Sequence, residues 1–454
     1  MNIIICGAGQ VGFNLAKYLA GRNHNITVID VDQNLITQIN DRLDVKAVCG
    51  HASHPDVLKR AGVENTDMII ALTHADEVNM VACQIAHSIY DVPKKIARIR
   101  SQSYLNVSGK GLFTDDNMPI DYIISPENEV AHTVSRGLAV PGALDITPLA
   151  NNRIALLGVR CTVDTPIVNT PITHIPSLFP EVDFTIVGIS RGDIKIVPKP
   201  TEVLMPGDEV YYIVDQERID QSLNAFGHHG DTTKRLVILG GGNIGLFLAQ
   251  EVEAHYPHIR IHIIERSPER AAYIAQKLSR TIILNGDALE GEMLLEAGVQ
   301  SADTVVAVTE DDRVNTLATV LAKRLGSKKT MCLANKTSFA NLVISLGVDA
   351  VISPRVVTVS KIMQYIRKGN VHSVHSLGES FGEVIDVDAS SASTLVGKTI
   401  QDLYENHKIL IAALIRDNQV TIPRQSSTIR LEDRVILMLA PEQAKRSEDL
   451  LGID

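Results

Sequence analysis

The chain has 454 residues, 45% hydrophobic and 21% charged, with 43 Lys and Arg against 53 Asp and Glu for a formal charge of −10. This mix supplies enough apolar side chains for several cores and excludes disordered and fibrous classes, and at roughly 150 residues per domain the length suggests about three domains. The acidic balance and short basic clusters argue against nucleic acid as a partner, and apolar stretches such as 409–415 and 435–440 fall short of the roughly 20 residues that a membrane-spanning helix needs.

The first strand is expected at 3–6, and it lacks the basic start and small-residue cleavage site of a secretory signal, so a cytosolic chain is expected. Further short β-branched runs at 26–30, 47–49, 68–72 and 96–99 alternate with helix-length segments, the pattern of a doubly wound parallel sheet. A punctuated segment with strands at 154–159, 184–189 and 210–214 reads as a small α+β module, and the polar run 225–233 as a linker. The series then begins again. Strands are expected at 236–239, 261–265, 281–284, 304–308 and 330–333, followed by a second α+β module with strands at 411–415 and 435–439.

The recurrence is detailed. IIICGAGQVG at 3–12 returns as LVILGGGNIG at 236–245, and Ala61-Gly62-Val63, Asp67, Ala71, Thr73 and Val78-Asn79 return as Ala297-Gly298-Val299, Asp303, Ala307, Thr309 and Val314-Asn315. The chain is a tandem duplication of a unit of roughly 225–236 residues. The expected architecture is α/β: two Rossmann-like parallel-sheet domains at 1–125 and 233–352, each followed by an α+β domain, at 142–228 and 371–454.

Gly7-x-Gly9-x-x-Gly12 follows a strand and opens a helix, the arrangement in which the first glycine turns, the second admits the pyrophosphate and the third lets the helix pack closely. Asp30 ends the second strand, where a carboxylate accepts the ribose hydroxyls of an adenosine, and Gly240-x-Gly242-x-x-Gly245 with Glu265 repeats the pattern. A 2′-phosphate about 4 Å from Asp30 would cost on the order of 4 kcal/mol at an effective dielectric near 20, which favours NAD(H) over NADP(H). Adenosine recognition alone also admits ATP or ADP. In the second unit the choice stays open, because Arg266 lies beside Glu265, where a positive charge would offset this repulsion.

Thr73-His74 and Thr309-Glu310 end the fourth strands, where they would meet a nucleotide or cap the next helix; Arg98 ends the fifth strand within reach of a phosphate or a surface ion pair. Ser125-Pro126 and Ser353-Pro354 read as an N-cap followed by a first-turn proline. The helices they open carry apolar stripes, Val130, Val134 and Leu138, then Val359, Ile362, Met363 and Ile366, suited to another domain or protomer. The pairs His51 and His54, His255 and His258, and His372 and His375 lack a third ligand nearby, and the five cysteines are scattered, so no metal or disulfide is expected.

The GAGQVG start, Gly50-His51-Ala52-Ser53-His54-Pro55, Ala97-Arg98-Ile99-Arg100, Ile124-Ser125-Pro126-Glu127 and the second GGGNIG resemble the TrkA family, the cytosolic regulatory subunits of the bacterial Trk potassium-uptake system, over essentially the whole chain. The resemblance implies paired RCK domains that bind NAD(H), and in related proteins ATP or ADP. It also implies a gating ring under a membrane-embedded potassium translocation subunit, with membrane contact only through that partner. It places a first nucleotide site at Gly7, Ala8, Gly9, Gln10, Val11, Gly12, Asp30, Thr73, His74 and Arg98. The second site comprises Gly240, Gly241, Gly242, Asn243, Ile244, Gly245, Glu265, Thr309 and Glu310, with Asn335 standing where Arg98 stands in the first. Two RCK domains per chain would close the ring as a homotetramer. The rival expectation, an NAD-dependent oxidoreductase, would need an acid–base group between the folds, where the only histidines are His174 and the linker pair His228 and His229. A non-enzymatic switch is the favoured reading.

Overall fold

The computed structural model describes residues 1–21, 24–105, 111–140, 142–180, 183–192, 194–228, 232–336, 342–366, 370–377, 381–444 and 450–451. The chain divides into two compact units, 1–129 with 354–366, and 130–353 with 367–454.

In the first unit, β1 (Asn2–Cys6), β2 (Asn25–Asp30), β3 (Lys46–Cys49), β4 (Met68–Ala71), β5 (Lys94–Arg98) and β6 (Tyr122–Ile124) form one parallel sheet in the order β3-β2-β1-β4-β5-β6. Five of these strands fall where the β-branched runs place them; β6 is too short to stand out. Alternation along β1 sends Ile3 and Ile5 into one core and Ile4 and Cys6 into another, so both faces are covered and the strand reads as continuously apolar. Strand order reverses between β1 and β4, which opens a crevice at the carboxyl ends of the strands.

One helix of this unit comes from the far end of the chain. Ile362, Met363 and Ile366, on the helix Pro354–Ile366, pack with Leu15, Leu19 and Ile26, and Tyr365 stacks on Tyr122 at 4.0 Å. The stripe expected to meet another domain or protomer is therefore used inside the chain. Ser125 does not cap its helix: its Oγ is buried with no hydrogen-bond partner, while Pro126 opens the helix Pro126–Ala139.

The second unit repeats the parallel sheet with Ile282–Asn285, Arg260–Glu265, Arg235–Leu239, Thr304–Ala307, Lys329–Leu333 and Ala350–Ile352 in the same spatial order. Val130, Val134 and Leu138 are buried here, and the Lys329 ammonium donates to Gly137 O at 3.0 Å and Ala143 O at 2.6 Å, tying the end of their helix to this sheet. Burial pulls the Lys329 pKa down to about 8.

Two five-stranded antiparallel sheets complete the unit, and they share a core in which Leu149, Leu156, Val187 and Ile213 meet Phe381, Val384, Ala413 and Ile436. The linker expected at 225–233 begins later than its polarity suggests. Ala225 and Phe226 are buried, with Phe226 stacked 4.7 Å from Tyr212, while 229–231 lie outside the described residues.

Each antiparallel module contains the same two-pronged ion pair. Arg191 donates from Nε and Nη2 to Asp208 at 2.9 Å each, and Arg416 does so to Asp433 at 2.8 and 2.6 Å. Burial alone would raise the Asp433 pKa, but hydrogen bonds from Arg416 and the Arg430 amide hold it below the ordinary aspartate range. A depressed folded pKa contributes stability that is present above about pH 4 and is lost as pH falls through the folded value. Asp433→Asn is therefore expected to flatten part of the acid limb of stability, read from urea midpoints between about pH 7 and about pH 3. A limb identical to that of the parent chain would contradict this assignment.

Candidate functional site

The crevice of the first unit is built around a loop in which Gly7 and Gly12 leave no room for a side chain. Gly7 leaves β1 with φ 113° and donates to Ile29 O at 2.7 Å, and a Cβ there would lie 3.0 Å from Leu72 O. At Gly12 a Cβ would sit 1.8 Å from Gly7 O, so the helix Gln10–Ala20 can press against the turn only without a side chain. Gly9 has open space where a Cβ would project. That helix carries no side-chain cap and no acid in its first turn, which leaves its first N–H groups, near Gln10 and Val11, available to an anion.

Asp30 is fixed beside this loop. Its Oδ2 accepts from Ala8 N at 2.6 Å and its Oδ1 from Asp32 N at 2.9 Å, an orientation set by backbone. The second unit reproduces each contact. Gly240 (φ 107°) donates to Ile264 O, Glu265 accepts from Gly241 N at 2.7 Å and Ser267 N at 2.8 Å, and a Cβ on Gly245 would lie 2.0 Å from Gly240 O. Gly242 precedes the uncapped helix Asn243–His255, on which Asn243 is exposed and Ile244 half-buried.

Thr73 and Thr309 do not cap the following helices. Their hydroxyls donate to Asn79 Oδ1 at 2.7 Å and Asn315 Oδ1 at 2.6 Å, and Ala75 and Asp311 hold the N-cap positions. His74 and Glu310 are exposed at the crevice rim. The buried asparagines knit the strand ends, with Asn79 Nδ2 donating to Arg98 O at 2.9 Å and Asn315 Nδ2 to Leu333 O at 3.1 Å.

That pairing corrects the expected correspondence. Leu333 is the counterpart of Arg98, whereas Asn335 matches Arg100: both donate their amides to the aspartate of the preceding helix, Arg100 to Asp76 at 2.9 Å and Asn335 to Asp312 at 3.0 Å. Arg98 is half-buried and donates from Nη2 to Thr73 O at 2.6 Å, while its Nε is buried with no partner. Burial, with the charge of Arg100 adding to it, lowers its pKa. Arg98 therefore adds a half-buried positive charge at the end of the fourth strand, which fits a phosphate-bearing ligand. Arg100 itself is paired with Glu127 at 2.6 Å.

The arginine that matters at the second loop is one the sequence did not single out. Arg266 is exposed and lies 4.0 Å from Asp287 instead of reaching the loop. Arg270 reaches it, donating from Nε to Gly241 O at 2.7 Å and from Nη2 to Asn243 Oδ1 at 3.1 Å. Its counterpart in the first unit is Leu35, three residues past the N-cap Asp32 as Arg270 is past Ser267, so comparing the repeats could not reveal it. The histidine pairs have other neighbours. His51 stacks on His54 at 5.0 Å and bonds Ser53, His255 lies 3.3 Å from Glu251, His372 pairs with Asp388 at 2.8 Å, and His375 lies 3.7 Å from Asp145.

Comparison with known proteins gives a consistent picture. The TrkA-N domain model matches residues 3–126 and 236–354, and the TrkA-C domain model matches 156–227 and 384–452. The Trk system potassium uptake protein TrkA of Azorhizobium caulinodans is 42% identical over 453 residues, covering 100% of this chain and 99% of its own length. The protein of the same name from Halomonas elongata is 35% identical over 454 residues, covering 99% and 98%. Among solved structures, the GsuK RCK domain superposes with a TM-score of 0.59 at 19% identity over 99% of this chain and 95% of its own. The GsuK channel bound to NAD does so at 0.59 and 18% identity over 99% and 79%. At that identity the likeness concerns the fold, two parallel-sheet domains each joined to an antiparallel module.

Proposed function

The chain belongs to the TrkA family, whose two domains it carries twice, and from that premise we propose that it is the nucleotide-binding regulatory subunit of a potassium-uptake system, controlling K+ translocation by a membrane-embedded subunit. The observation that carries the proposal is the paired loop geometry, with Asp30 and Glu265 each held by two backbone amides beside an uncapped helix. In this reading the modules 1–125 and 233–352 each take a nucleotide, NAD(H) or ADP or ATP, and the modules at 142–228 and 371–454 transmit its presence. The carboxylates accept the ribose hydroxyls, the helix N-termini and Gly9 or Gly242 receive the pyrophosphate, and Thr73, His74 and Arg98, or Thr309 and Glu310, border the distal part of the ligand. The oxidoreductase alternative is not carried forward, because the full-length relatives are potassium-uptake proteins by name.

A regulator needs only unequal affinity for two conformations, and moving a gate from mostly closed to mostly open takes up to about 5.5 kcal/mol, which several sites supply more readily than one. No helix among the described residues is long and apolar enough to cross a membrane, and the proposed membrane-embedded partner is what would hold the chain at the inner face. The homotetrameric ring stays part of the proposal, with different contacts. Ile362, Met363 and Ile366 are spent within the chain, whereas Val81 and Leu317, at corresponding positions of the helices Asp76–Tyr90 and Asp312–Arg324, are 42% and 55% exposed. Asp30→Ala is expected to weaken NADH binding by about 1–3 kcal/mol, the worth of a charge-assisted hydrogen bond, without unfolding the domain. Calorimetric titration checks this, and an unchanged affinity would defeat the assignment of the first site.

A further inference from the structure

The two loops share their backbone but not their charges. In a crevice of this kind the ribose acid at the end of the second strand marks the adenosine end, and the ligand runs past the helix N-terminus toward the fourth and fifth strands. At that distal end the first site has the half-buried Arg98, whose Nη2 donates to Thr73 O, and the exposed His74. The second site has Leu333 in place of Arg98 and the exposed Glu310 in place of His74. Asp311, next in the chain, is already bonded by Arg313 at 2.7 Å, so Glu310 is the added negative charge. At the adenosine end the change runs the other way, with Arg270 holding its guanidinium on the loop at Gly241 and Asn243 where the first site has Leu35.

The positive charge has thus moved from the distal phosphates to the ribose end. We infer that the second site binds adenine nucleotides whose charge ends at the pyrophosphate, ADP or NADH, and discriminates against the triphosphate, which the first site accepts. The inference rests on the reading of both loops as nucleotide sites. A γ-phosphate placed near Glu310 meets like charge with no arginine to offset it, whereas near Arg98 it meets the opposite charge of a half-buried guanidinium; Lys336, the next basic residue after the fifth strand, is exposed and screened by water. Arg270 favours any ligand with a phosphate at the loop and so does not reward the third one.

Calorimetric titration of the full chain with ATP, ADP and NADH in metal-free, low-salt buffer tests this, with Asp30→Ala weakening the first site so that the second is the tighter, and Glu265→Ala doing the reverse. The ratio of ATP to ADP affinity is expected to be at least roughly tenfold lower in the Asp30→Ala chain than in the Glu265→Ala chain. Adding Glu310→His, an exposed change, should raise the ratio of ATP to ADP affinity there severalfold, and adding Arg270→Leu should weaken ADP and NADH together. Equal ratios in the two chains would overturn the inference while leaving both sites in place. Loss of all nucleotide binding in the Asp30→Ala chain would instead overturn the reading of the second loop, and the inference with it.

Discussion

Asp386→Ala is expected to destabilise the chain by about 3–5 kcal/mol, the cost of breaking a buried ion pair from one side. Asp386 is 1% exposed and accepts Arg434 Nε and Nη2 at 2.8 Å each, as well as the Ala150 amide at 3.0 Å. Arginine is not deprotonated in proteins, so the Arg434 guanidinium keeps its charge when the aspartate is removed and is left largely buried without its partner. Ala150, at φ 50° in the turn between Ala143–Leu149 and Ile154–Arg160 and part of the shared core, loses its acceptor as well. The pair itself need not be a net source of stability. Asp386→Leu with Arg434→Met, which removes both charges, is expected to recover most of the loss. Urea midpoints of the three variants decide this, and a single variant within about 0.5 kcal/mol of the parent would show that the contact carries no weight.

Gly12→Ala is expected to abolish measurable NADH binding at the first site and to cost about 1–3 kcal/mol of stability. The added Cβ would lie 1.8 Å from Gly7 O and 2.9 Å from Gly7 C, backbone atoms that cannot rotate away, so the helix must shift off the turn that it packs against. A shift of about 1 Å at an anion-binding helix end misplaces the N–H groups from the phosphates. Gly9→Ala separates packing from ligand recognition. Nothing lies within 4 Å of a Cβ at Gly9, and its φ of −61° suits any residue, so the fold should be untouched while NADH binding weakens because the methyl occupies the approach to the pyrophosphate. Circular dichroism melts beside binding titrations check both variants. Normal NADH binding by Gly12→Ala would remove the loop from the site.

What the sequence revealed and what it hid divide along physical lines. Parallel strands buried on both faces announce themselves as β-branched runs, and the glycine loops can be read because Gly7 and Gly12, like Gly240 and Gly245, leave no room for a side chain. Tyr122–Ile124 and Ala350–Ile352 escaped because three residues carry no periodicity. The destination of the helix Pro354–Ile366 was hidden for another reason: an amphipathic stripe states that it must be covered, not by which segment. Phe226 was masked by its polar neighbours, though it completes an aromatic stack with Tyr212. Arg98 was paired with Asn335 because repeats aligned by sequence alone lose register at strand ends, where the asparagine bonds of Asn79 and Asn315 restore it. Arg270 reaches the loop from a neighbouring helix, so proximity in sequence pointed to Arg266 instead.

The central claim is that nucleotide occupancy of these two loops controls potassium movement. Its most direct test is potassium flux through vesicles holding the membrane subunit together with the purified chain, titrated with NADH and with ADP. Flux is expected to change saturably with nucleotide, and the chain carrying both Asp30→Ala and Glu265→Ala is expected to associate with the vesicles still but to lose this response. Flux that is indifferent to nucleotide in the parent chain, or that responds equally in the double variant, would contradict it.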